Sequence, residues 1–179
     1  YVSKRVSKYN HQPYVDVAPI YGIKNRKRIL VLGQVPYDDS LKYGGGIGIT
    51  LLDVVNQAIA DNPNAQVIVK PHPMTLDDHS IINTLTELNC LVLTQPIHLV
   101  DALETVDHVY TITSLGGFEA LLRGKKVTVL GKPFYHNWTN NVKPYDLEDH
   151  KRLLYLSYHI YNYNVQSNQS LIKTQFNKR

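Results

Sequence analysis

The feature that most limits the folds open to this chain is an alternation, between Arg28 and Leu130, of short apolar runs with stretches of helical spacing. Arg28 to Leu32, Ala65 to Val69, Cys90 to Leu93, His108 to Thr113 and Val127 to Leu130 read as buried strands bounded by polar, Gly or Pro residues. Between them, Ile47, Leu51, Leu52, Val55 and Ile59 recur at helical spacing, and the pattern stops at Asp61-Asn62-Pro63 because proline cannot continue a helix. Thr75 followed by Asp78 has the form of a capping box ahead of Ile81, Ile82, Leu85 and Leu88. A short helix is expected over 97–106, and another from Phe118 to Arg123 ended by Gly124. Five strands alternating with four helices predict an α/β fold: a Rossmann-like, doubly wound parallel sheet.

Composition agrees with a core-forming protein. The chain has 179 residues, of which 43% are hydrophobic and 19% charged, which excludes disordered and collagen-like classes. No apolar run approaches the roughly 20 residues of a spanning helix. The sequence opens at Tyr1 without a Met or an apolar leader, so it is expected to be a piece of a longer protein. Residues 1–25 are expected to be a linker or strap from the missing part, 26–145 the α/β domain, and 146–179 a C-terminal helix with a polar tail. Net charge is +4, much of it in Lys24-Asn25-Arg26-Lys27-Arg28 and around Lys173, Lys178 and Arg179. Such runs are expected to be solvated flanks, with an anionic membrane surface as their sharper use. No recognition helix or aromatic platform accompanies them, so nucleic acid is not an expected partner. The one cysteine, Cys90, lies in an apolar stretch and is expected in the core. The eight histidines form no zinc-ligand pattern, and no metal site is expected.

In open α/β sheets ligands bind off the carboxyl ends of the strands, and the informative residues fall in those loops. After the first strand come Gly33-Gln34 and Asp38-Asp39, then the glycines of Gly44-Gly45-Gly46-Ile47-Gly48. Their spacing is neither a dinucleotide fingerprint nor a P-loop, and they read either as a close approach to ligand or as a turn. A carboxylate there has two uses, as a helix cap or as a nucleophile or base. After the second strand, Lys70-Pro71-His72-Pro73 holds a histidine between two prolines that fix the backbone, a setting that suits an anion or a departing oxyanion. After the fourth strand, Ser114 precedes Leu115-Gly116-Gly117-Phe118-Glu119 and would lie at a helix N-terminus, where amides and helix dipole favour an anion. A hydrolase elbow would need glycine two residues before the serine, and that residue is Ile112. His72 and Ser114 facing one sheet edge describe a site for a single phosphate.

These residues also carry a family resemblance. Gln34-x-x-x-Asp38, Lys70-Pro71-His72-Pro73, the block from Thr113 to Lys125, and Gly131-Lys132-Pro133-Phe134-Tyr135 resemble the capsule polysaccharide synthesis proteins, retaining β-Kdo glycosyltransferases that use CMP-Kdo. Ser7-Lys8-Tyr9-Asn10 is similar to the segment upstream of a catalytic module in that family. The likeness runs in order from about Ser7 to Trp138 and departs after Tyr135, where His136-Asn137-Trp138-Thr139 stands in place of Ala-Gly-Trp-Gly. The resemblance implies one half of a GT-B-type transferase, the half that binds the nucleotide sugar. It implies Asp38 as the nucleophile, Gln34 as a residue positioning the sugar, His72 and Ser114 on the CMP phosphate, Glu119 on the ribose, and Lys70, Gly116 and Gly117 in the substrate site. Lys42, Lys70 and Arg123 are the candidates to balance the Kdo carboxylate. The implied partners are a CMP-sugar donor, a lipid-linked glycan acceptor, the anionic cytoplasmic face of the inner membrane, and capsule assembly proteins; no cofactor is implied. A sialyltransferase-like inverting enzyme and a catalytically inactive nucleotide-binding module are the competing readings.

Overall fold

The architecture comes from a computed structural model that describes Ser7 and residues 13–139. The chain divides into units 1–142 and 143–179. The helix expected near 147–156, the polar tail, and Lys8-Tyr9-Asn10 lie outside the described residues.

Five strands form one sheet: β1 (Arg28–Leu32), β2 (Gln66–Lys70), β3 (Leu91–Val92), β4 (His108–Thr111) and β5 (Lys126–Val129). Their order is β3-β2-β1-β4-β5 and every pairing is parallel. The helices are α1 (Ala18–Tyr21), α2 (Asp39–Tyr43), α3 (Leu51–Asp61), α4 (His79–Glu87), α5 (Leu99–Ala102) and α6 (Leu115–Leu122). The doubly wound parallel sheet expected from the alternation is therefore present. All five residues of β1 are buried, as a central parallel strand covered on both faces requires.

Side-chain alternation divides the core into two layers. Ile29, Val31, Val67, Val69, Tyr110 and Ile112 face Val54, Val55 and Ala58 of α3 and Leu85 of α4. The opposite parity, Leu32 and Thr111 among it, meets α6 and Leu99 of α5, against which Gly116 and Gly117 pack closely. Cys90 is in the core as expected, and burial pushes its thiol up to about 11, away from nucleophilic use.

Several expectations are corrected. The capping box belongs to α3, not α4: Thr50 and Asp53 exchange bonds, with Asp53 N–H on Thr50 Oγ1 at 3.2 Å and Thr50 N–H on Asp53 Oδ2 at 2.7 Å. Asp78 caps α4 alone, accepting from Ser80 and Ile81 amides, while Thr75 sits in a separate 3-10 turn. Ile47 lies outside the helix and is 74% exposed, because the Thr50 cap starts α3 four residues later. Within the segment expected to be a linker or strap, Val17 and Tyr21 are buried, and Tyr21 Oη donates to Ala102 O at 2.8 Å.

The basic run also does not end in solvent. Arg28 is 2% exposed, and its guanidinium donates to Gly22 O, Gln66 Oε1 and Thr105 Oγ1 at 2.5–2.8 Å. A buried charge is tolerated only when its donors are satisfied, and these acceptors tie the α1 segment to the start of β1. Lys24 stays outside and pairs with Asp107 at 2.6 Å.

At the amino end of the sheet a recess of about 510 Å³ is lined by Lys27, Asp61, Asn62, His108, Tyr110, Lys126 and Thr128. Its polar groups bond to one another: Tyr110 Oη donates to Asp61 at 2.9 Å, Asn62 to Tyr110 at 3.1 Å, and Lys27 to Asn62 at 2.6 Å. His108 is buried over the Tyr110 ring and shares a 2.8 Å hydrogen bond with Thr128. Burial lowers its pKa to about 4; Lys126 and Lys27 push the same way and Asp61 opposes them. The unfolded histidine titrates near 6.5, so between those values the unfolded state binds the extra proton. Stability is therefore full above pH ~6.5 and falls as pH drops towards 4, by up to about 3 kcal/mol from this group. In urea titrations from pH 7.5 to 4.5, His108→Gln is expected to flatten the fall by that amount; parallel curves for both proteins would refute it.

Candidate functional site

The strand order reverses at β1, which pairs with β2 on one side and β4 on the other. Loops leaving β1 and β4 therefore turn to opposite faces and open a crevice between their carboxyl ends, where doubly wound sheets bind ligands. Gln34 and Asp38 follow β1, His72 follows β2, and Thr113 and Ser114 follow β4.

Four loops on this edge share one construction. Asp38 (φ −65°, ψ 130°), His72 (−68°, 140°), His98 (−59°, 140°) and Ser114 (−59°, 138°) each stand immediately before a helical turn with nearly identical backbone angles. Each folds its side chain back to accept the amide two residues on, at 2.8 Å for Asp38 Oδ1 and 3.2 Å for His72 Nδ1, His98 Nδ1 and Ser114 Oγ. This is N-capping, and it fixes the polar group of each side chain over the amide end of a turn. Because His72 Nδ1 accepts, the proton of its neutral ring sits on Nε2, a donor. Ser114 Oγ accepts one bond and keeps its own proton to donate. Asp38 is half-buried and uses one carboxylate oxygen in its cap. His98 is the member that sequence reasoning missed; its only signal is a histidine placed just before Leu99-Val100-Asp101.

Close backbone approach brings two of these loops together. A Cβ on Gly33 would lie 3.0 Å from His72 N and 3.1 Å from Pro71 Cα, and Gly33 N–H donates to Lys70 O at 2.9 Å. Glycine at 33 thus lets the β1 loop lie directly against the Lys70-Pro71-His72 segment. Across the crevice, Gln34 Oε1 accepts the Thr113 N–H at 2.8 Å, and its Nε2 donates to Ser40 Oγ at 3.0 Å and Thr113 Oγ1 at 3.1 Å.

The three cations considered for a substrate carboxylate differ in their surroundings. Lys70 pairs in register with Leu32, so both side chains leave the sheet on the face where Leu32 meets Gly116. It is half-buried with no carboxylate at ion-pair distance among the described residues, and desolvation lowers its pKa. Lys42 instead lies over the Tyr43 ring at 5.4 Å, on the exposed face of α2. Arg123 stands just past the far end of α6 and faces Glu119 at 3.8 Å. Glu119 itself is buried inside α6, its side chain 4% exposed. Gly116 and Gly117 have packing reasons of their own, since a Cβ there would meet Leu32 and Leu99, or Tyr135 and Thr111. Tyr135 is fully buried and donates its hydroxyl to the Ser114 carbonyl, securing the first turn of α6. The departure at His136-Asn137-Trp138-Thr139 forms a 3-10 turn closed by Thr139 Oγ1 on His136 O at 2.7 Å. Neither Asn137 nor Thr139 has a positive φ, so this turn does not call for glycine at either position.

Comparison with known proteins identifies the family and the fold. The profile of the family described as "Capsule polysaccharide biosynthesis protein" matches residues 1–172. The lipopolysaccharide-processing protein LpsZ of Rhizobium meliloti is 47% identical over 117 residues, covering 64% of this chain and 27% of LpsZ. The capsule polysaccharide modification protein LipA of Neisseria meningitidis serogroup B is 39% identical over 136 residues, covering 74% of this chain and 19% of LipA. Among solved structures, the β-Kdo 2,4 transferase of Thermosulfurimonas dismutans KpsC superposes with a TM-score of 0.68 at 28% identity, over 83% of this chain and 46% of that one. The β-Kdo 2,7 transferase of the same KpsC gives 0.57 at 34% identity, over 69% and 41%. The chain thus spans under half the length of each of these relatives.

Gly117 tests the packing of the α6 turn. Its added Cβ would lie 2.5 Å from Tyr135 Oη, so Gly117→Ala must push the phenol off Ser114. A loss of about 2 kcal/mol is expected in urea unfolding. Tyr135→Phe in the same chain is expected to show coupling of about 1 kcal/mol, because the displaced hydroxyl is gone. Strict additivity of the two substitutions would contradict the contact.

Proposed function

The chain belongs to the capsule polysaccharide biosynthesis protein family, and on that premise we propose that it is the donor-binding half of a glycosyltransferase that moves Kdo from CMP-Kdo to a lipid-linked glycan with retention of configuration. The observation that carries this reading is the gathering of a capped carboxylate, two capped anion donors and an ammonium without a carboxylate partner among the described residues on loops of one sheet edge. The solved relatives titled β-Kdo transferases support the substrate class.

In the proposed reaction His72 Nε2–H and the Ser114 hydroxyl, at the positive end of the α6 dipole, hold the CMP phosphate. Lys70 balances the sugar carboxylate beside the anomeric carbon. Asp38 attacks that carbon, the bond to the phosphate oxygen breaks, and CMP leaves with the electron pair. An acceptor hydroxyl then attacks the anomeric carbon of the glycosyl ester, loses its proton to solvent, and releases the Asp38 carboxylate. Two inversions yield net retention, the outcome that requires a nucleophile at all.

Calorimetric titration of this chain with CMP, against UMP and AMP, is the direct test. Selective CMP binding is expected, weakened by 1.5–3 kcal/mol in His72→Ala. Lys70→Met is expected to leave CMP affinity within about 3-fold while raising the donor KM about 10-fold in the full-length gene product. An equal loss on CMP would move Lys70 to the phosphate.

Asp38→Ala is expected to abolish transfer with CMP affinity within about 3-fold of the parent. An inverted anomer in the parent's product would remove the nucleophile role of Asp38.

A further inference from the structure

We propose that Gln34, Ser40 and Thr113 form a positioning latch that holds the Asp38 carboxylate in place from the loop after β4, acting through α2 and not by contact with the sugar. This rests on the nucleophile role proposed for Asp38.

The argument starts from the length of α2. At five residues it is far below the length at which a helix holds itself in water, so its place is set by what it touches. Asp38 is its N-cap, joined to it by the Ser40 amide on Oδ1 at 2.8 Å and the Leu41 amide on the Asp38 carbonyl at 2.9 Å. The carboxylate is therefore only as well placed as the first turn of α2.

That turn is anchored from across the crevice. Ser40 Oγ lies 3.0 Å from Thr113 Oγ1 and 3.0 Å from Gln34 Nε2, while Gln34 spans to the Thr113 amide. Ser40 thus points its amide at the carboxylate and its hydroxyl at Thr113, just past β4. The other end of α2 is anchored on the same threonine. A Cβ on Gly44, the C-cap, would lie 2.8 Å from Thr113 Cγ2, and one on Gly131 would lie 2.5 Å from it. The Lys132 amide donates to Gly44 O at 2.6 Å, closing the two glycine backbones around the Thr113 methyl. Thr113 is 3% exposed, so its methyl and hydroxyl have no alternative partners in water. Gln34 commits its amide oxygen and nitrogen to this junction, which explains a glutamine four residues before Asp38 without any contact to substrate.

The test uses substitutions that separate the two halves of Thr113. Thr113→Val keeps a methyl between the glycines and removes the hydroxyl; Thr113→Ser does the reverse; Ser40→Ala removes the other hydroxyl. In the full-length gene product, Thr113→Val and Ser40→Ala are each expected to lower kcat of transfer 10- to 100-fold, since a misplacement near 1 Å costs that much. Donor KM and CMP affinity are expected to stay within about 3-fold. Thr113→Ser is expected to retain most of kcat even where it lowers the unfolding midpoint, which separates positioning from stability. In parallel, hydrogen exchange of the Ser40 and Leu41 amides is expected to speed up at least 10-fold in Thr113→Val, with α3 amides unchanged. Unaltered exchange at Ser40 and Leu41, unaltered kcat, or an effect confined to KM would each overturn the latch. A parent protein that transfers nothing would overturn the transferase reading instead, and the exchange data would still decide the latch.

Discussion

Everything at the open edge depends on β1 being paired in parallel on both sides. A strand so placed has no edge of its own, and both faces must be covered, which is why Arg28–Leu32 is buried throughout. Parallel neighbours require crossovers, and crossovers from a central strand to opposite flanks leave the two sides of the sheet by different faces. The crevice between β1 and β4 is the geometric residue of that divergence. It needs no special sequence beyond the strands themselves; what the sequence adds is the chemistry of the loops that line it.

Those loops solve one problem four times. Leaving a parallel strand for a helix exposes amides that need acceptors, and Asp38, His72, His98 and Ser114 each supply one from their own side chain. The same fold-back makes each group rigid, and rigidity at a helix end is also what an anion site or an oriented carboxylate needs. Capping and chemistry are therefore compatible uses of one conformation. An N-cap serine or aspartate at such a position need not be read as one or the other.

Buried polar groups mark the two ends of the sheet differently. At the amino end, Arg28 and Tyr110 donate to neighbouring acceptors and His108 Nε2 shares a bond with Thr128, while His108 Nδ1 is buried without a hydrogen-bond partner among the described residues. At the carboxyl end Lys70 is half-buried with no carboxylate at ion-pair distance among the described residues, and burial lowers its pKa. The recess at the amino end and the edge that carries Asp38, His72 and Ser114 are thus at opposite ends of the sheet.

The sequence by itself determined the strands, the main helices and the edge on which the chemistry sits, because apolar runs, proline stops and capping residues act locally. It also singled out Gln34, Asp38, Lys70, His72 and Ser114 as the residues of interest, since unusual residues in strand-to-helix loops stand out without any structure. It misassigned the capping box, because Thr75-x-x-Asp78 and Thr50-x-x-Asp53 have the same form and only the path of the chain tells which one starts a helix. It placed Arg28 both at the start of a buried strand and in a basic run expected to be solvated, because burial of a guanidinium depends on carbonyls and side chains up to 77 residues away. It could not single out Thr113 or separate Lys70 from Lys42 and Arg123. Those distinctions rest on contacts between segments about 30 to 80 residues apart, on strand parity, and on how closely two glycine backbones approach one methyl group, quantities that exist only once the sheet has formed.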